Sequence, residues 1–117
     1  MPAVLIEVQK KYSAEEAKYI MSALNTAFEE AFNVESGSMY VRFLVHELDR
    51  VFVPSAKTNP ERYTMISIDC FEGRSLDAKR KLYQGIVQNL EPLGIPEDHV
   101  KILIRESSKE NWGKIKT

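Results

Sequence analysis

The sequence predicts an α+β domain in which two β-α-β repeats build a four-stranded mixed sheet with two antiparallel helices on one face. Three observations lead there. Four stretches alternate or run apolar as strands do, and two carry the 3.6-residue period of amphipathic helices. The two halves also match each other. Setting Ser13 beside Ser75 aligns Ile20 with Leu82, Leu24 with Ile86 and Phe28 with Leu90. After a gap of three residues, Val41 to Glu47 lies beside Val100 to Glu106. A β-α-β unit crosses over to connect parallel strands, right-handed by the usual rule. Used twice, it gives one fold, because neither half covers its own helix face alone.

In chain order, residues 2–8 read as the first strand. Ser13-Ala14-Glu15-Glu16 fits a capping box, in which Ser13 and Glu16 satisfy each other's backbone donors. Ala17, Ile20, Met21, Leu24, Phe28, Ala31 and Phe32 then form one apolar face of a helix over about 13–32. Tyr40 to Glu47 is the second strand, and Val51-Phe52-Val53 a short extended piece. Pro54 to Arg62 is polar with two prolines and reads as the loop joining the halves. Tyr63 to Phe71 is the third strand, and Glu72-Gly73-Arg74-Ser75 turns into a helix. That helix carries Lys79, Leu82, Tyr83, Ile86, Val87 and Leu90 before Pro92 and Gly94 stop it. His99 to Glu106 is the fourth strand. The apolar sets Val41, Phe43, Val45 and Val100, Ile102, Ile104 are assigned to the helices. The opposing sets, Tyr40, Arg42, Leu44, His46 and Lys101, Leu103, Arg105, leave a half-polar face for a partner subunit or ligand.

Composition narrows the function. The 117 residues suit a single domain over 1–117, with repeats at about 2–53 and 63–113. A net charge of −1 supplies no field for nucleic acid or an anionic membrane. No apolar run approaches the ~20 residues of a membrane span, and no secretory segment opens the chain. The single cysteine, Cys70, has no internal disulfide partner, which suits a reducing cytoplasm, and its apolar surroundings mark it as a small buried hydrophobe. His46 and His99 with one cysteine give no metal-site spacing.

The opening Met1-Pro2 offers chemistry, against the plainer reading of a proline at position two with no catalytic task. A small residue after the initiator permits removal of Met1, which leaves Pro2 with a secondary amine. A free α-amino group titrates near ~8, and a dry pocket or nearby cations lower that value. Such a base takes a proton from one atom and returns it to another. With Met1 retained, the nitrogen is an amide and the base is absent. Arg74, beside Gly73 in a strand-to-helix turn, offers a planar fork for a carboxylate, against the plainer reading of a surface arginine at a helix start.

Pro2, the internal repeat and two further motifs together resemble the tautomerase superfamily. Phe71-Glu72-Gly73-Arg74-Ser75 is similar to the Leu-Glu-Gly-Arg-Ser that opens the helix of 4-oxalocrotonate tautomerase. Glu106-Ser107-Ser108-Lys109-Glu110-Asn111-Trp112-Gly113 resembles its closing Glu-x-x-Lys-x-x-aromatic-Gly. The doubled length resembles malonate semialdehyde decarboxylases, cis-3-chloroacrylic acid dehalogenases and migration inhibitory factor-like proteins. The resemblance implies a homotrimer, a small carboxylate substrate and no cofactor. It gives Pro2 the proton shuttle and Arg74 the substrate carboxylate. Arg42 takes the oxyanion, which a cation stabilises directly. Trp112 and Phe52 become pocket walls. Lys101, set beside Arg42 by the repeat alignment, and Tyr40 are further substrate-binding candidates, with His46 a weaker one.

Departures choose among activities. The decarboxylase pattern brackets a proline with two arginines in the turn where this chain has Glu72, and its acidic residue before the second strand is missing around Ser36-Gly37-Ser38-Met39. The dehalogenase pattern uses a late carboxylate, and Trp112 is followed by Gly113-Lys114-Ile115-Lys116-Thr117. The expectation is therefore a cytoplasmic tautomerase acting on a 2-oxo or 2-hydroxydienoic acid. The alternatives are a 3-oxo acid decarboxylase and a non-catalytic trimeric interaction or sensor module.

Overall fold

The computed structural model describes residues 2–54 and 58–113. Positions 55–57 of the expected loop and the closing residues 114–117 lie outside the described residues. The elements run β1 (Ala3–Val8), α1 (Ala14–Phe32), β2 (Tyr40–Val45), β3 (Thr64–Phe71), α2 (Leu76–Leu90) and β4 (Val100–Ser107). Short 3-10 turns occupy Leu48–Arg50 and Pro60–Arg62, so the second of these gives the proline-rich joining loop local structure. Val51-Phe52-Val53, expected as extended, takes no strand pairing.

Both helices start as their sequences dictate. Ser13 accepts from the Glu16 amide at 3.1 Å while Glu16 accepts from the Ser13 amide at 2.9 Å, the expected reciprocal box. Ser75 caps α2 by accepting from the Ala78 amide at 3.1 Å. Asn33, at φ 53, ends α1 in the left-handed region that asparagine tolerates.

The sheet order is β2-β1-β3-β4, with β1 parallel to β2, β3 parallel to β4, and β1 antiparallel to β3. Val4, Ile6, Val8, Ile66, Ile68 and Cys70 point to one face and join Ile20, Leu24, Phe28, Leu82, Ile86 and Leu90 of the helices in the core. Each such side chain contributes roughly 1.5–3 kcal/mol by leaving water. Val41, Phe43, Val100, Ile102 and Ile104 pack against the same core, as their alternation requires. α2 approaches α1 closely at Gly85, where a β-carbon would stand 3.3 Å from Ala27 Cβ. No helix among the described residues is long and apolar enough to cross a membrane.

The uncovered face is organised in rows. Tyr40, Ala3, Asp69 and Arg105 lie level across the four strands. The next row is Arg42, Leu5, Ser67 and Leu103, and the last is Leu44, Glu7, Met65 and Lys101. An approximate two-fold axis passes between Leu5 and Ser67, which pair with each other and also match under the Ser13–Ser75 offset. The same offset matches Ala3 with Met65, whose parallel partners are Tyr40 and Lys101. Lys101 is thus the counterpart of Tyr40, and Arg42 that of Leu103, a slip of two residues from the sequence alignment. A slip of one reverses the faces, but a slip of two preserves them, so the hydrophobic pattern is blind to it.

Candidate functional site

Pro2 enters the sheet directly ahead of β1 and is buried. Proline fits there because the first residue of a strand need not donate to the ladder. Its carbonyl accepts from the Tyr40 amide at 3.2 Å. Continuing the antiparallel register one step past Ala3–Asp69 sets Cys70 alongside it. Burial pushes the Cys70 thiol up, with the Glu106 carboxylate adding to the effect, so it stays a neutral, packed group.

Cations gather around this end of the sheet. Arg42, opposite Leu5, stacks its guanidinium over the Tyr40 ring at 5.2 Å. Arg74 follows β3 through a turn that needs Gly73 at φ +116, a conformation that side chains resist. Its guanidinium rests 4.8 Å from the centroid of Phe32, in the last turn of α1. Phe32 is held in turn by an edge-to-face contact with the fully buried Phe28, centroids 5.6 Å apart. The arginine is therefore seated on an aromatic shelf fixed by the core. The start of α2 is tied to the end of β4 by Lys79 Nζ donating to Glu106 Oε1 at 2.7 Å. That bond raises the Lys79 ammonium above its ordinary range.

The structure adds two residues that the sequence left unassigned. Arg105 donates to Asp69 through Nε at 2.9 Å and Nη2 at 3.2 Å, a bidentate pair level with Ala3 and Tyr40. The Arg105 bond holds the Asp69 carboxyl below the usual carboxylate range, with Arg42 adding a smaller effect in the same direction. The available signal was the polar pair Ser67 and Asp69 in an otherwise apolar strand. A carboxyl depressed by folding stabilises the native state above the ordinary carboxylate range and loses that contribution as pH falls through its folded value. Because both partners are substantially exposed, the effect is small, about 0.5 kcal/mol. Asp69→Asn is expected to flatten the acid limb of a urea-denaturation stability profile by that amount while leaving the neutral-pH slope unchanged.

Pro2, Arg74, Tyr40 and Trp112 thus share one end of the sheet, and Arg42 stands in its central row with its guanidinium over the Tyr40 ring. Trp112 packs edge-to-face on Phe71 at 5.4 Å, and its indole Nε1 donates to Ser107 Oγ at 2.8 Å. Phe71 and Ser107 are register partners at the ends of β3 and β4, so the indole closes that end. Lys101 and Phe52 are not brought there within one chain. Lys101 is level with Met65 and Glu7, four residues along β1 from Ala3, roughly 13 Å away. Phe52 is fully exposed beside Glu7 and His46 at the same far end.

Two β-α-β units sharing one four-stranded mixed sheet, with two helices, are the fold of the tautomerase superfamily. The chain belongs to the family described as "Tautomerase enzyme", whose model matches residues 38–114. Among solved structures it is similar to malonate semialdehyde decarboxylase inhibited by 3-bromopropiolate, at TM-score 0.83 and 20% identity over 95% of this chain and 87% of that one. It is also similar to a fused 4-OT solved as an asymmetric trimer, at TM-score 0.85 and 13% identity, covering 97% and 92%. A third likeness, to a member of the cis-3-chloroacrylic acid dehalogenase family, has TM-score 0.83 and 19% identity, covering 97% and 80%.

Proposed function

We propose that the protein is a cofactor-independent tautomerase that interconverts the enol and keto forms of a small 2-oxo or 2-hydroxydienoic acid. The observation that carries this reading is the buried Pro2 bonded to Tyr40, whose ring carries the Arg42 guanidinium, with Arg74 on its Phe32 shelf. With Met1 removed, the Pro2 nitrogen lone pair takes the enol hydroxyl proton. The resulting charge spreads over oxygen and carbon, and Arg42 opposes it on the oxygen. The secondary ammonium then returns the proton to carbon, which leaves the keto acid and the free amine. Arg74 grips the carboxylate, and Tyr40 and Trp112 exclude water from the site.

Ketonisation of phenylenolpyruvate or 2-hydroxymuconate, followed by ultraviolet absorbance, tests the activity. Intact mass of cell-derived protein reads whether Met1 is gone. Absence of turnover with Met1 removed supports the interaction module instead. Release of carbon dioxide from malonate semialdehyde faster than ketonisation of either enol replaces the tautomerase with the decarboxylase. Arg74→Ala is expected to raise KM more than it lowers kcat. Phe32→Leu, which removes the shelf but not the charge, is expected to raise KM about 2- to 10-fold, the worth of a cation–π contact of roughly 0.5–1.5 kcal/mol.

The assembly proposed is a homotrimer. The uncovered face carries Tyr40, Leu44 and Leu103 exposed among charged residues, a pattern suited to a partner sheet. Sedimentation equilibrium at micromolar concentration is expected to give three times the chain mass. A monomer there excludes the trimer.

A further inference from the structure

The approximate two-fold of the sheet gives the Pro2 end a counterpart, and the chain has built something different there. Under the Ser13–Ser75 offset, Thr64 stands where Pro2 stands, at the head of β3, and Tyr63 continues the chain where the other end has its terminus. The position matching Arg74 is Tyr12. Beside Thr64 lies a cavity of about 230 Å³, lined by Glu7, Val8, His46, Phe52, Tyr63 and Met65 among others. Gln9 props its outer wall by donating from Nε2 to the Val51 carbonyl at 3.3 Å. Inside, His46 Nε2 meets Glu7 Oε2 at 3.1 Å, with both side chains about one-third exposed.

The chemistry of this cavity selects its ligand. The Pro2 end presents arginines for an anion. Here Glu7 is already answered by His46, and Lys10 and Arg62 are drawn onto the Tyr12 ring, outside the cavity lining. An anion meets the Glu7 carboxylate, and a cation competes with His46 for it. A neutral hydroxyl fits, because a carboxylate has about four acceptor positions and His46 fills one. The remaining wall is aromatic and aliphatic. The volume lies below the ~300–1,000 Å³ of drug-sized pockets, which limits the ligand to one ring. We propose that this cavity is a second, proline-free binding site for an uncharged single-ring hydroxyaryl compound, with the hydroxyl on the Glu7–His46 pair and the ring between Phe52, Tyr63 and Met65.

The site is independent of the catalytic reading, and so is its test. The chain has two histidines, so proton NMR of the imidazoles offers a reporter, His46, and an internal control. The control is His99, buried against Asp98 and bonded by the Asn59 amide. Titration of the intact protein with 4-methylphenol is expected to shift His46 saturably and leave His99 in place. Glu7→Gln and His46→Leu are expected to weaken binding at least tenfold, the latter read from the Tyr63 ring signals. 4-Methylbenzoate and 4-methylbenzylamine are expected to bind at least tenfold more weakly than the phenol. Pro2→Ala is expected to leave the phenol affinity unchanged, so loss of the tautomerase reading does not remove this one. Shifts that stay linear to the solubility limit, a charged analogue binding as tightly as the phenol, or unchanged affinity in both pocket variants overturns the proposal.

Discussion

Pro2→Ala is expected to lower kcat/KM for ketonisation by about 10²- to 10⁴-fold, the range for losing a positioned general acid–base. That loss corresponds to roughly 3–5 kcal/mol of transition-state stabilisation. Alanine leaves a primary amine at the same place, so residual activity reports on the ring nitrogen's geometry and basicity. Extending the chain by a residue ahead of Pro2 converts the nitrogen to an amide and is expected to abolish the proton transfer. The pH profile carries a further sign. The base works deprotonated, so the rate rises with pH as the ammonium loses its proton. Burial of Pro2 and, in the proposed mechanism, the charge of Arg42 both disfavour that ammonium. Arg42→Ala is therefore expected to move the rising limb to higher pH as well as to lower kcat. A limb that stays in place in Arg42→Ala, or a Pro2→Ala enzyme as fast as the parent, removes the proposed roles.

Phe28→Ala is expected to destabilise the fold by about 3–5 kcal/mol, measured as a drop in urea midpoint at unchanged slope. Phe28 is fully buried on α1 and supports Phe32 edge-to-face. Its truncation leaves a cavity that close-packed neighbours cannot refill. Against a typical total of ~5–15 kcal/mol, the loss is large. It also reaches the site, because Phe32 carries Arg74. Where the variant remains folded, its KM is expected to rise with that of Phe32→Leu, and a KM equal to the parent's uncouples the shelf from binding.

Much of this protein is legible in its residues because local rules and global fold agree. The capping pairs Ser13–Glu16 and Ser75 set the helix starts within a residue, and alternation in β2 and β4 sorts the two sheet faces. The same alternation misleads on register. The repeat alignment sets Lys101 beside Arg42, whereas hydrogen bonding makes it the two-fold counterpart of Tyr40, level with Met65 and Glu7, because a two-residue slip exposes the same faces.

The site divides along the same line. Pro2 and Arg74 are visible from the sequence because each is chemically distinctive where it stands: one at a terminus, the other beside a glycine with positive φ. Asp69 and Arg105 are invisible as a pair, since 35 residues of helix and strand separate them and only the β3–β4 register makes them neighbours. The same holds for Glu7 and His46 at the far end. The sequence by itself determined the doubled β-α-β plan, the face that each helix covers and the proline that heads the sheet. These follow from periodicity and from single residues with unusual chemistry. Only the tertiary structure decided which polar residues meet, that Phe52 and Lys101 stand apart from Pro2 in one chain, and that a cavity lined by the Glu7–His46 pair lies at the far end. Those are pairings between strands, and a strand's own pattern does not encode the position of its partner.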